Sequence, residues 1–118
     1  MSYPSNKRKG SKYKNQKWTV AGKTFDSQRE AKRYATLRLL QEAGVISDLK
    51  TQVRYELIPT QRSESGELLE RACNYIADFT YCEKGNAIVE DCKGFKTEVY
   101  KIKKKLMLQR YGIRIRET

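Results

Sequence analysis

Residues 73–92 read Cys73-Asn-Tyr-Ile-Ala-Asp78-Phe-Thr-Tyr-Cys-Glu-Lys84-Gly85-Asn-Ala-Ile-Val-Glu-Asp91-Cys92, and this stretch decides the fold. Asp78 is the single acid of Tyr75–Tyr81 and is surrounded by apolar residues, and Lys84-Gly85 suits a tight turn. The pattern therefore predicts two strands, Cys73–Tyr81 and Asn86–Cys92, paired as a hairpin. Side chains alternate along a strand, so Val89, Asp91 and Lys93 share one face while Glu90 and Cys92 point to the other. Pairing through the turn brings Asp78 near Asp91. Two carboxylates that close repel unless a cation lies between them, and hard divalent ions such as Mg2+ take oxygen ligands. The backbone carbonyl of Cys92 is a third candidate oxygen, and the Lys93 ammonium stands on the same face as Asp91, able to position a water. An Asp-x-Lys on a strand is equally compatible with a surface ion pair worth about 1 kcal/mol or less. Asp78 alone is compatible with a strand-end acid paired to a lysine. The coincidence of the two acids is what favours chemistry.

Working upstream, Val53, Tyr55 and Leu57 alternate with Arg54, Glu56 and Ile58, a strand ended by Pro59, and residues 60–70 read as a hairpin loop. Ser27 is a good N-cap for a helix running to about Ala43, with Ala31, Tyr34, Ala35, Leu37, Leu40 and Ala43 on the buried side and Gly44 as its stop. Trp18–Val20 and Lys23–Phe25 flank an Ala21-Gly22 turn. Downstream, Thr97 caps a second helix that Gly112 ends, its Val99, Ile102 and Leu106 expected to face the sheet. Ile113 and Ile115 then alternate with Arg114 and Arg116 in a last short strand. Helix, three strands, helix, strand is an α/β arrangement with a central mixed sheet. There is no internal repeat.

The chain has 118 residues, enough for one domain. Lysine and arginine total 25 against 14 acids, a formal charge of +11, which favours a polyanionic partner, most often nucleic acid. Histidine is absent, which excludes Ser-His and Cys-His catalysis and every zinc site that needs imidazole. Cys73, Cys82 and Cys92 form neither a disulfide framework nor a zinc site and are expected to be small buried residues. Neither a signal peptide nor a run of about 18 apolar residues is present, so a cytoplasmic protein is expected. Residues 1–17 carry Lys7, Arg8, Lys9, Lys12, Lys14 and Lys17 and no acid, and are expected to form a flexible basic arm ahead of a single domain over 18–118. The arm either contacts phosphates or merely solubilises. Lys96, Lys101, Lys103, Lys104, Lys105 and Arg110 crowd the second helix, which starts just after Lys93. A solvated face and a phosphate-binding face both fit; the net charge and the adjacency to the acids favour phosphate contact. No helix-turn-helix or zinc-finger spacing is available to read bases.

Glu30 shares a helix face with Tyr34 and Leu37, yet Ser27-Gln-Arg-Glu30 also fits a capping box, in which the glutamate returns to the N-cap amide. Spacing alone leaves both open. Phe25-Asp-Ser-Gln-Arg-Glu30, Ile76-Ala-Asp78-Phe and Val89-Glu-Asp91-Cys-Lys93, in this order, resemble the PD-(D/E)XK nuclease superfamily, and in particular its small phage proteins described as endonucleases. The Phe-x-Ser-x-x-Glu opening is similar to that of transposase endonuclease subunits, and the size to phage Holliday-junction resolving enzymes. The resemblance covers about residues 23–112, and Ala77 stands where a proline is common. It implies a restriction-endonuclease-like core and Mg2+-dependent hydrolysis of DNA phosphodiesters, with Mn2+ able to substitute. Asp78 and Asp91 would bind the metal, Glu30 would complete the site or serve a second ion, and Lys93 would orient or activate the attacking water. It also implies a structure-selective enzyme for branched DNA, acting as a homodimer. The alternative from another class is a non-catalytic basic nucleic-acid-binding protein.

Overall fold

The computed structural model describes residues 16–118. Most of the expected basic arm, with Lys7, Arg8 and Lys9, lies outside the described residues. At its end, Lys17 pairs with Asp26. Strands β1 (Trp18–Val20) and β2 (Lys23–Phe25) form the first hairpin, as expected. Helix α1 (Gln28–Glu42) begins at Ser27, whose Oγ accepts from Glu30 N, and ends at Ala43. Then come β3 (Ile46–Ile58), β4 (Gln61–Arg62), β5 (Leu68–Glu70), β6 (Cys73–Glu83), β7 (Asn86–Asp91), α2 (Glu98–Tyr111) and β8 (Arg116–Glu117). The central sheet runs β3-β6-β7-β8; its first two pairings are antiparallel and β7 with β8 is parallel, so the sheet is mixed.

The β6–β7 hairpin closes at Lys84 and Gly85, at φ 51° and 80°. Two successive left-handed residues match the right-handed twist of the strands they join, and glycine takes the second place without steric cost. Gly112 at φ 68° ends α2, its N–H returning to the Leu108 and Met107 carbonyls.

Two apolar clusters hold the layers together. Phe25, Ala31, Tyr34, Leu37, Ile46, Phe79 and Tyr81 pack beneath α1, with the Tyr34 and Phe79 rings stacked at 6.1 Å. Leu57, Tyr75, Ala77, Val89, Tyr100, Met107 and Ile115 pack beneath α2. Burying a side chain such as Leu37 or Phe79 completely contributes about 1.5–3 kcal/mol. Along β6, Tyr75 and Ala77 belong to one cluster and Phe79 and Tyr81 to the other. Asp78 sits at the seam between them.

The structure corrects five expectations, the first being the last strand, which spans Arg116–Glu117 rather than the Ile113–Arg116 alternation. Strand β3 starts at Ile46 rather than Val53; a bulge at Asp48, φ 57°, breaks the alternation near its start, and the inward positions from Leu49 to Val53 include the polar Thr51. The 60–70 loop contains its own ladder, β4 with β5, tightened by Ser63 Oγ accepting from Glu67 N at 3.1 Å. Helix α2 is rotated: of the expected stripe only Leu106 packs on the core, Val99 and Ile102 being 61% and 58% exposed, and Tyr100 and Met107 are the buried residues. Tyr100 and Met107 are 5% and 0% exposed, and the Tyr100 hydroxyl finds Glu117 Oε2 at 2.7 Å. Cys73, Cys82 and Cys92 are free thiols, each half-buried rather than buried. No described helix is long and apolar enough to cross a membrane.

Candidate functional site

The β6–β7 register, ending at Phe79↔Glu90, delivers Asp78 and Asp91 side by side where the two strands separate. Each is held by a donor that the sequence does not advertise. Cys92 N–H donates to Asp78 Oδ2 at 2.8 Å. The Tyr75 hydroxyl donates to Asp91 Oδ2 at 2.6 Å. Asp91 is fully buried, and its other oxygen, Oδ1, has no hydrogen-bond partner. Lys93 Nζ lies 3.4 Å from that Oδ1, an ion pair without hydrogen-bond alignment. The same ammonium sits 5.1 Å from the centre of the Tyr100 ring, whose face attracts it. Tyr100 thus steers Lys93 as well as packing beneath it.

Burial pushes Asp78 up to about 7; the Cys92 amide opposes this, while the negative charges of Asp91 and Glu30 add to it. Burial likewise raises Glu30, helped by Asp91 and Asp26 and opposed by Lys93 and Gln52. The three acids therefore feel one another electrostatically, although they are distant in sequence. They do not close into a cage: among the described residues no three carboxylate or thiol groups stand close enough to hold a metal ion as they are. Asp78 and Asp91 make the pair, and Glu30 lines the adjoining cleft. The Cys92 main chain enters the site through its amide, while its side chain packs on the α1 side.

Only half of the capping box forms. Ser27 Oγ accepts from Glu30 N at 3.3 Å, but the Glu30 carboxylate turns away and its Oε2 accepts from Gln52 Nε2 at 3.0 Å. A cleft of about 530 Å³ opens over this point, lined by the β1–β2 hairpin (Lys23, Thr24, Phe25), Asp26, Glu30, Gln52 and Asp78. The cleft wall thus carries the carboxylates of Asp26, Glu30 and Asp78, hard oxygens of the kind a divalent cation takes, while Asp91 Oδ1 lies outside that lining with the Lys93 ammonium beside it.

The basic residues on and just before α2 divide. Lys104 and Lys96 reach Glu117 at 3.1 and 3.7 Å. Lys101 reaches Glu98 at 3.2 Å and Arg110 reaches Glu56 at 3.7 Å. Lys103 and Lys105 make no ion pair among the described residues. Lys103 shares a recess with Lys93, Tyr75, Ile76, Val99 and Tyr100, so it is the helix lysine placed beside Lys93.

Glu90, one residue before Asp91, is fully buried on the opposite face. It accepts from Arg33 Nε at 2.6 Å and Nη2 at 3.0 Å, Tyr81 Oη at 2.5 Å and Thr118 Oγ1 at 2.9 Å. Burial alone would raise its pKa, but the Arg33, Tyr81 and Thr118 hydrogen bonds prevail and hold it below the ordinary value. This network ties α1, β6, β7 and the C-terminal segment together behind the acids. Sequence reasoning missed it, along with Gln52 and Tyr75, because nothing in their spacing couples them to an acid.

Fold and site together define an α/β protein with a central mixed sheet, two helices and a partly buried carboxylate–lysine centre. The chain belongs to the DUF1064 family, described as "Protein of unknown function", whose family model matches residues 10–116. No curated protein and no solved structure matches the chain.

Proposed function

We propose that the protein is a Mg2+-dependent endonuclease that hydrolyses DNA phosphodiester bonds, acting on branched duplexes such as Holliday junctions as the small phage members of the PD-(D/E)XK superfamily do. The observation that carries the reading is the pairing of half-buried Asp78 with fully buried Asp91, with the Lys93 ammonium 3.4 Å from an Asp91 oxygen that has no hydrogen bond. The order hairpin, helix, three antiparallel strands, helix and parallel strand accords with a restriction-endonuclease-like core.

Bound Mg2+, or Mn2+ in its place, would draw charge from the scissile phosphate and acidify the attacking water without any histidine. Asp78 and Asp91 would hold the ion, each kept in one rotamer by the Cys92 amide and the Tyr75 hydroxyl. Glu30 would complete the site from the cleft wall. The Lys93 ammonium, steadied over Tyr100, orients the water and offsets negative charge that builds on the phosphorus centre. Lys103 and the rest of the α2 lysines would hold the duplex by its phosphates, contacts that position DNA without reading sequence. Two symmetric cuts need two such centres and one chain supplies one, so the proposal includes a homodimer.

The test incubates full-length protein with four-way, flap and linear duplex DNA in Mg2+ or Mn2+, alongside Asp91→Asn and Lys93→Ala. Cleavage of branched DNA by the wild type and by neither variant is the expected result. Binding that ignores the divalent ion, with no substrate cut by the wild type, would replace the proposal with a non-catalytic basic nucleic-acid-binding protein.

A further inference from the structure

Gln52 stands in the middle of β3 with a left-handed backbone, φ 54°. The neighbouring pairs Thr51↔Phe79 and Val53↔Ala77 put it opposite Asp78. The other left-handed residue of this strand, Asp48, falls where the ladder slips between Ser47 and Lys50 and so absorbs a bulge. No slip occurs at Gln52. A side chain in this region costs about 1 kcal/mol or more that glycine would not incur, so the conformation is not explained by the ladder.

Its side chain supplies the explanation. Gln52 Nε2 donates to Glu30 Oε2 at 3.0 Å. Glu30 has a competing destination, the Ser27 amide of the capping box, whose serine half is formed. The glutamate half is not, and the carboxylate lies instead on the wall of the cleft it shares with Gln52 and Asp78. We infer that Gln52 is a positioning residue that withdraws the Glu30 carboxylate from its helix cap and holds it at the acidic cleft as a ligand for the divalent cation. This rests on the metal-dependent reading of the site, which it deepens by naming the residue that makes Glu30 available.

Full-length wild type, Gln52→Gly, Glu30→Ala and the double variant are titrated with Mn2+ by calorimetry in the absence of DNA, and melted in the presence of chelator. Glycine accepts the left-handed backbone, so Gln52→Gly should melt at or above the wild-type temperature. Its Mn2+ affinity should fall about 10- to 100-fold, the usual loss when a group orienting a metal ligand is removed. In the Glu30→Ala background the same change should alter Mn2+ affinity less than twofold. Wild-type affinity in Gln52→Gly, an equal loss in both backgrounds, or a melting temperature below that of the wild type would each overturn the assignment. A wild type that binds no Mn2+ would instead overturn the metal-dependent reading itself, an outcome distinct from a wild type and Gln52→Gly that bind equally.

Discussion

Replacing Asp78 with asparagine should stabilise the metal-free protein at pH 8. The Asp78 carboxyl stands at about 7 in the folded chain against 3.8 for the free group, chiefly through burial, with Asp91 and Glu30 adding to it. A raised carboxyl means that the folded state disfavours the charged form. Stability is therefore full below pH 3.8, falls as pH rises towards about 7, and stays low above that. At about 1.4 kcal/mol per tenfold change in proton affinity, the full effect is about 4 kcal/mol, and because Asp78 opens on the cleft, screening cuts this to about 2 kcal/mol. Asparagine keeps an oxygen to accept the Cys92 amide and discards the charge. At about 4 °C per kcal/mol for a chain of this size, Asp78→Asn should melt roughly 8 °C above the wild type at pH 8 in chelator. The gap should close by pH 4, where the wild-type carboxyl is largely protonated. Adding Ca2+ should raise the wild-type transition and leave that of the variant unmoved, since a ligand that binds only the native state stabilises it by mass action. Unfolding curves at pH 4, 6 and 8 with and without Ca2+ decide the matter. A variant no more stable than wild type at pH 8, or a gap that ignores pH, would refute the claim that Asp78 is held charged at a cost.

Arg33→Ala leaves the fully buried Glu90 without its main counter-charge and should cost about 3–5 kcal/mol, measured by urea titration, whereas Glu90→Gln should cost much less because no charge is stranded. Tyr75→Phe removes the only hydrogen bond to the Asp91 carboxylate among the described residues and should destabilise the apo protein by about 1–3 kcal/mol while leaving its DNA affinity intact. Asp78→Ala should abolish cleavage and leave DNA affinity equal or higher, read by gel shift beside the cleavage assay. The log–log dependence of DNA affinity on salt should be steep. Lys103→Ala should flatten it by about 0.9, and Lys104→Ala, whose partner is Glu117, by less.

Much of the architecture is legible along the chain because its signals are local. Ser27 and Thr97 satisfy amides of the turn that follows them, Gly112 supplies a left-handed helix stop, and Lys84-Gly85 supplies a twisted hairpin turn. From that hairpin turn and the alternation around it, the juxtaposition of Asp78 with Asp91 and the placement of Lys93 beside it follow by counting residues. The inward side of α2 does not follow. Val99, Ile102 and Leu106 make as good an apolar stripe as Tyr100 and Met107, and the first two are nonetheless exposed at 61% and 58%. Choosing between them requires a neighbour: Glu117 to accept the Tyr100 hydroxyl and Lys93 to sit over its ring.

The acids show the same division. By itself the sequence determined that Glu90 and Asp91 leave the strand on opposite faces, since alternation is a property of the extended backbone. It did not determine that Glu90 would meet Arg33 and become a structural anchor while Asp91 Oδ1 is left without a hydrogen-bond donor. Nor did it choose between Ser27 and Gln52 as the partner of the Glu30 carboxylate. Those outcomes belong to the tertiary structure alone, because the energy of a buried carboxylate is set by whichever donors and charges the fold carries to it from distant parts of the chain.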